Sequence, residues 1–99
     1  MDERNEIIIL YDFYGDLLSN SQKKYFEDYY FNNYSLGEIS DESSVSRNAI
    51  HKQLKNAEEK LKFYEEKLKL KEKTFMLDKI IDKINDKKLK NDIKKIIES

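Results

Sequence analysis

The side chains with the clearest capacity for recognition chemistry fall within nine consecutive residues near the middle of the chain. An arginine can donate two parallel hydrogen bonds to guanine, an asparagine can pair with the edge of adenine, and a lysine can hold a phosphate. At spacings of one, three and four positions, such residues share one side of a helix. The alternative is that they are ordinary solvated side chains. The candidate nucleic-acid-binding residues are Arg47, Asn48, His51, Lys52 and Lys55.

Catalytic and metal chemistry finds little support in the same residues. His51 is the only histidine, and the chain contains no cysteine. A lone histidine without a second metal ligand or an orienting partner is a poor candidate for a metal site or a general base. No glycine-rich phosphate loop is present. We therefore expect a protein that is not an enzyme, with no catalytic residues, no cofactor, no metal site and no small-molecule substrate.

The elements that must position the candidate residues are all predicted to be helices. The chain has no proline and only two glycines, so few residues interrupt helical segments. Ser19 with Gln22 predicts a capping box at one helix start, and Ser35 with Glu38 predicts another. Ser46 can cap the helix that carries the candidate face. The expected fold class is an all-α bundle of five to six helices with a long C-terminal helical extension.

A helix-turn-helix motif is predicted at about residues 35–61. Ser40 supplies the small residue that lets two helices cross closely. Ser43 falls where a bulky apolar side chain usually fills the crossing, so its hydroxyl must find a partner. Ser44 stands where a glycine commonly makes the turn. The apolar residues predicted to converge beneath this corner are Ile39, Val45, Ile50 and Leu54.

A further apolar pattern follows the motif. Leucines and one phenylalanine recur every seven residues, which predicts a short, imperfect heptad seam, and the helix on which it begins has no stop signal until about Leu70. Thr74 could begin a further helix after it. We expect a helix-turn-helix domain over residues 1–70, and a C-terminal extension over residues 71–99 that packs on the domain or on a partner subunit, as in a homodimer. The seam residues are Leu54, Leu61, Leu68 and Phe75.

Longer stretches resemble two known groups of proteins. Leu18–Leu61 is similar, without gaps, to the promoter-recognising region four of bacterial sigma factors. Over Ile9–Leu70 the segments "FYGDLL", "QKKYFEDYY", "SLGEI", "VSRNAI" and "EEKLKFYEEKLKL" resemble the YlxM family of small bacterial proteins, which have a sigma-region-four-like helical fold. Gly37 within "SLGEI" is expected in that family, whereas Ser43 departs from the bulky residue usual there.

The resemblance implies a non-catalytic regulatory protein that binds nucleic acid. The five candidate residues match positions that touch DNA in sigma region four. The family is also linked to the signal recognition particle pathway, through the neighbourhood of its genes. The partners that the resemblance implies are therefore duplex DNA, the RNA of that particle, or its protein components.

Charge supports a second hypothesis, a protein–protein interaction module whose DNA-binding face is idle and whose contacts come from the C-terminal helices. The formal net charge is -1. Residues 1–46 carry three basic and ten acidic side chains, whereas residues 47–99 carry sixteen basic and ten acidic ones. Acidic Glu38, Asp41 and Glu42 crowd the helix beside the candidate face, although Lys23 and Lys24 could add positive charge to it. An acidic N-terminus and short apolar runs predict no membrane insertion and a cytoplasmic location.

Overall fold

The computed structural model describes residues 3–99, and the fold of this part of the chain is helical throughout. The all-α prediction is confirmed, with six α-helices and no strand among these residues. Two compact units are present, one ending at Leu68 and the other covering Lys69–Ser99. In chain order the elements are α1 (Glu3–Tyr14), a 3-10 turn (Gly15–Leu17), α2 (Asn20–Tyr30), α3 (Leu36–Ser43), α4 (Arg47–Leu68), α5 (Leu70–Ile81) and α6 (Lys87–Glu98).

The helix starts follow the capping pattern read from the sequence. The Ser19 hydroxyl accepts a hydrogen bond from the Gln22 amide at 3.2 Å, and the Gln22 side chain accepts one from the Ser19 amide at 3.1 Å. Ser35 and Glu38 exchange the same pair of bonds at 3.1 and 3.2 Å. Both capping boxes are therefore confirmed, and each satisfies amides at the helix start that have no partner within the helix.

The core of the first unit forms where α1, α2 and α3 all pack against α4. Its largest fully buried side chains are less than 2% exposed. Burying a side chain of this size contributes roughly 1.5–3 kcal/mol, so the set supplies much of the drive that fixes α4 in place. These side chains are Tyr14, Phe26, Ile39, Ile50 and Leu61.

Tyrosine–carboxylate hydrogen bonds tie the outer helices to α4. The Tyr14 hydroxyl donates to Glu65 at 2.6 Å, and the Tyr30 hydroxyl donates to Glu58. Arg4 then donates to the backbone carbonyl of Tyr30 at 3.0 Å and lies 4.8 Å from its ring centre. Since hydrogen bonds to charged acceptors are stronger than neutral ones, these contacts add orientation to the apolar packing.

The predicted heptad seam is divided between two helices, which corrects one expectation. The chain adopts a left-handed conformation at Lys69, with φ of 55°, and this residue ends α4. Leu68 and Phe75 therefore lie on different helices, and they are 45% and 43% exposed. The proposed helix start at Thr74 is also wrong, because Thr74 lies inside α5.

The second unit is a pair of packed helices with a thin apolar core. The Asp86 carboxylate caps α6 by accepting hydrogen bonds from the amides of Lys88 and Leu89, at 3.0 and 3.2 Å. Ile81 is 2% exposed, whereas several other large apolar side chains in this unit face solvent. None of the helices described in residues 3–99 combines the length and apolar character needed to cross a membrane. The exposed apolar residues of the unit are Leu70, Phe75, Met76, Leu77, Ile80, Leu89 and Ile96.

Candidate nucleic-acid interface

The corner between α3 and α4 is closed by serine side chains. The Ser40 hydroxyl donates to the carbonyl of Val45 at 2.5 Å, which fastens the end of α3 to the segment that enters α4. The Ser43 hydroxyl donates to the carbonyl of Ile39 at 2.7 Å. The expectation that the Ser43 hydroxyl must find a partner is confirmed. Ser44 makes the turn in the left-handed region, with φ of 59°, and its amide donates to the Ser40 carbonyl at 2.9 Å.

Beneath the corner, the predicted apolar set converges. Ile39 and Ile50 are 1% and 0% exposed, and Leu54 is 5% exposed. Val45 is half-buried and packs against the same core. The hydroxyl of Ser46 accepts a hydrogen bond from the amide of Ala49 at 3.2 Å, as expected of a residue that caps α4. The inward side of the first turns of α4 is thereby fixed, and the opposite side must face solvent.

The structure brings the candidate residues together on this solvent-facing side. All five are exposed, and they lie on the first nine residues of α4, a length of about 12 Å along the helix axis. An exposed helix with arginine, asparagine and lysine at its N-terminal end is the arrangement with which helix-turn-helix proteins contact bases and phosphates. The residues are Arg47, Asn48, His51, Lys52 and Lys55.

Arg47 has a neighbour that sequence reasoning missed. Its guanidinium lies against Gly37 on α3, where an added Cβ would be 2.7 Å from Nη2 and 3.0 Å from Cζ. Only a glycine leaves room for this approach without movement of the arginine. The one available signal was a glycine inside a helix, where it costs about 0.5–1 kcal/mol relative to alanine and therefore needs a local reason.

The acidic residues beside the face are partly engaged within the protein. One Glu38 oxygen accepts the hydrogen bond from the Ser35 amide in the capping box. Glu42 lies 3.8 Å from the ammonium of Lys24, which also contacts Asp28 at 3.3 Å. The hydrogen bond and charge of Asp28, and then the charge of Glu42, raise the pKa of Lys24. Surface ion pairs of this kind contribute little stability, but they reduce the net negative charge that an approaching phosphate meets.

The two lysines considered as additions to the face are occupied by carboxylates. Lys24 is held by the contacts just described, and Lys23 lies 3.0 Å from Asp16. Both would have to leave an acidic partner before contacting phosphate. The cationic part of the face therefore consists of Arg47, Lys52 and Lys55. In residues 3–99, moreover, no three histidine, cysteine or acidic side chains group in a way that could hold a metal ion.

Comparison with known proteins identifies the family to which this chain is similar. All 99 residues match the model of the UPF0122 family, described as "Putative helix-turn-helix protein, YlxM / p13 like". A UPF0122 protein of Caldanaerobacter subterraneus subsp. tengcongensis is 46% identical over 78 residues, which are 79% of this chain and 67% of that protein. A UPF0122 protein of Thermoanaerobacter sp. (strain X514) is 53% identical over 55 residues, covering 56% of this chain and 47% of the relative.

A third relative agrees with these two. The UPF0122 protein of Listeria innocua is 47% identical over 60 residues, or 61% of this chain and 54% of its own length. The matches thus cover between about half and two thirds of the length of these curated relatives. Because the family model covers the chain from end to end, and because an exposed recognition-type helix follows a closed corner as a helix-turn-helix requires, the chain belongs to the UPF0122 family of YlxM/p13-like helix-turn-helix proteins.

Proposed function

We propose that this protein is a non-catalytic helix-turn-helix regulator that binds nucleic acid through the exposed side of α4. One observation carries the proposal: five side chains suited to base and phosphate contact are all exposed on one side of the first nine residues of that helix. Arg47 and Asn48, nearest the corner, are assigned to base edges, while Lys52 and Lys55 are assigned to phosphates. His51, between the two groups, would lie against the backbone or a base.

The charge of the face sets the expected strength of binding. Three cations neutralise few phosphates, and affinity for nucleic acid rises with the number neutralised. The acidic side chains of α3 oppose binding further, although Glu38 and Glu42 have partners within the protein. Binding by a single copy is therefore expected to be weak and sensitive to salt. A second copy on the same duplex would double the number of contacts, which is why we include a homodimer in the proposal.

Duplex DNA is the first ligand in this proposal, since a helix fits the major groove. The RNA of the signal recognition particle is the second, on the strength of the family resemblance alone. The corresponding role is a regulator in or beside that pathway, acting in the cytoplasm where both nucleic acids occur.

A specific observation favours a second candidate function. Seven large apolar side chains of residues 69–99 are at least 42% exposed, in a unit that buries little besides Ile81. Exposed apolar surface of this kind marks protein interaction sites. In this alternative the protein is an interaction module that contacts protein components of the particle through α5 and α6, and the face on α4 is idle.

A nucleic-acid binding titration distinguishes the two functions. Binding of a 20-base-pair DNA duplex and of the particle's RNA is measured at two salt concentrations, for the wild type, Arg47→Ala and Lys52→Ala. Lys73→Ala serves as the matched control, because it removes an exposed lysine from the second unit. The first function requires both variants in α4 to bind more weakly than the control. Wild-type affinity in both variants, for both ligands, would rule it out.

A further inference from the structure

A concave surface lies beside the candidate face on the first unit. It is an open groove of about 610 Å³ between the start of α2 and the middle of α4. On α4 its lining residues recur at steps of three and four over about 15 Å of helix, so they form a continuous strip. This groove is lined by Gln22, Gln53, Asn56, Glu59, Lys60 and Phe63.

Two amide side chains in the groove are available for hydrogen bonding to a ligand. Gln53 and Asn56 are half-buried, and within residues 3–99 neither side chain makes a hydrogen bond. Gln22 differs, because its side-chain oxygen accepts from the Ser19 amide at 3.1 Å and from the Lys60 ammonium at 3.3 Å. Each open amide offers two donors and one acceptor oxygen. The groove thus presents donors and acceptors side by side to whatever occupies it.

An aromatic ring and one lysine complete the groove, and a second lysine lies beside the ring. Phe63 is 53% exposed and lines the groove from α4. It meets Tyr64 edge-on, with the two ring centres 6.0 Å apart. Lys67 lies 5.7 Å from the ring centre, and Lys60 lines the groove one helical turn before Phe63. An exposed aromatic ring next to cations is the arrangement with which proteins stack a base and hold its phosphate.

We propose that the groove binds one unpaired nucleotide. The base stacks on Phe63, its edge pairs with the amides of Gln53 and Asn56, and its phosphate is held by Lys60. The Glu59 carboxylate accepts from an exocyclic amino group, so adenine and cytosine are preferred over thymine and uracil. The base and phosphate recognised by the groove can belong to a single-stranded segment or to a free nucleotide. The site uses none of the five residues assigned to duplex binding, and it extends the proposed function without depending on it.

The test measures fluorescence anisotropy of a labelled 12-nucleotide single strand of adenine and cytosine, with unlabelled AMP and CMP as competitors. Phe63→Leu removes the ring but keeps an apolar side chain at an exposed position, so the variant is expected to fold, and a thermal melt verifies this. Phe75→Leu is the matched control, since Phe75 is exposed to a similar degree outside the groove. We expect Phe63→Leu to weaken single-strand binding about tenfold, because base–aromatic stacking accounts for roughly that factor.

Each result bears on the proposal. Competition by micromolar AMP or CMP would identify a free nucleotide as the ligand, whereas binding of the strand alone would identify a single-stranded segment, and both support the site. Asn56→Ala should reduce the preference for the strand over oligothymidine. The proposal is overturned if the wild type binds neither probe, or if Phe63→Leu binds the strand as tightly as Phe75→Leu. Duplex affinity measured with Arg47→Ala reports on the α4 face separately, so failure of one site is distinguishable from failure of the other.

Discussion

The guanidinium of Arg47, at the start of α4, rests on Gly37 of α3, and a Cβ at residue 37 would lie 2.7 Å from its Nη2 atom. The two residues are ten positions apart and belong to the two helices of the motif. The contact gives the arginine a support outside its own helix. A side chain held in one orientation loses less entropy when it binds than one that is free to rotate. We therefore expect the glycine to position Arg47 for the binding proposed above.

Replacing this glycine should separate stability from binding. Gly37→Ala is expected to leave the melting temperature unchanged or to raise stability by up to about 1 kcal/mol, because alanine is the better helix former. The new Cβ would displace the flexible end of Arg47, so duplex affinity should fall by about three- to tenfold, or roughly 0.7–1.4 kcal/mol. Thermal melting and a duplex titration measure the two quantities.

A double-mutant cycle supplies the control. If the glycine acts through the arginine, Gly37→Ala should cause no further loss in an Arg47→Ala background. Equal losses in both backgrounds would show that the glycine affects binding by another route.

The lysines of α4 should contribute to the salt dependence of nucleic-acid affinity. Lys52→Ala is expected to reduce the slope of log affinity against log salt concentration by about one, because one fewer phosphate is neutralised. Asn48→Ala should leave the slope unchanged but weaken discrimination between DNA sequences, since an amide carries no charge. Titration of each variant at four salt concentrations measures the slopes. An unchanged slope for Lys52→Ala would mean that this lysine contacts no phosphate.

The turn of the motif offers a stabilising substitution. Ser44 ends α3 with φ of 59°, a region in which residues with a Cβ are disfavoured by roughly 1–2 kcal/mol. Ser44→Gly should therefore raise the free energy of unfolding by up to about 1 kcal/mol, after allowance for the greater freedom of glycine in the unfolded chain. Urea unfolding measures the change. Ser43→Gly is the contrasting control, since it removes the hydrogen bond to Ile39 inside the helix and should destabilise the protein.

The raised pKa values of two tyrosines lead us to expect a lower free energy of unfolding at alkaline pH. Burial, followed by the hydrogen bond to Glu27, raises the pKa of Tyr11 above its ordinary value of 10.0. Burial, followed by the hydrogen bond to Glu58, does the same for the pKa of Tyr30. Both phenols are protonated in the folded and unfolded states at neutral pH. Above pH 10 the unfolded chain ionises first, so their contribution is present below pH 10 and is lost as the pH rises through the folded-state values.

The corresponding measurement compares urea unfolding at pH 8 and pH 11. The wild type should lose more stability between these values than the double variant Tyr11→Phe/Tyr30→Phe, which has neither phenol. Because lysines also titrate in this range, only the difference between the two proteins is informative. Parallel losses would show that the tyrosines do not contribute.

Much of the fold could be predicted from the sequence, because it depends on neighbours along the chain. The capping boxes at Ser19 and Ser35 are closed by residues three positions away, and the bonds form as soon as one helical turn exists. The same holds for the apolar spacing that places Ile50 and Leu54 on one side of α4 and leaves Arg47 and Lys52 on the other. The six helices and the exposure of the candidate face follow from such short-range patterns.

Contacts between residues distant in the sequence were decided only by the tertiary structure. The sequence placed the end of α4 near Leu70 while the heptad spacing ran on to Phe75, and the left-handed turn at Lys69 decides where the helix ends. The fit of Arg47 against Gly37 depends on the angle at which α3 crosses α4, and the amide groove depends on where α2 meets α4. The sequence lists the side chains on each face, but helix packing sets the distances between faces, because crossing angles follow from how whole surfaces interlock rather than from any single residue.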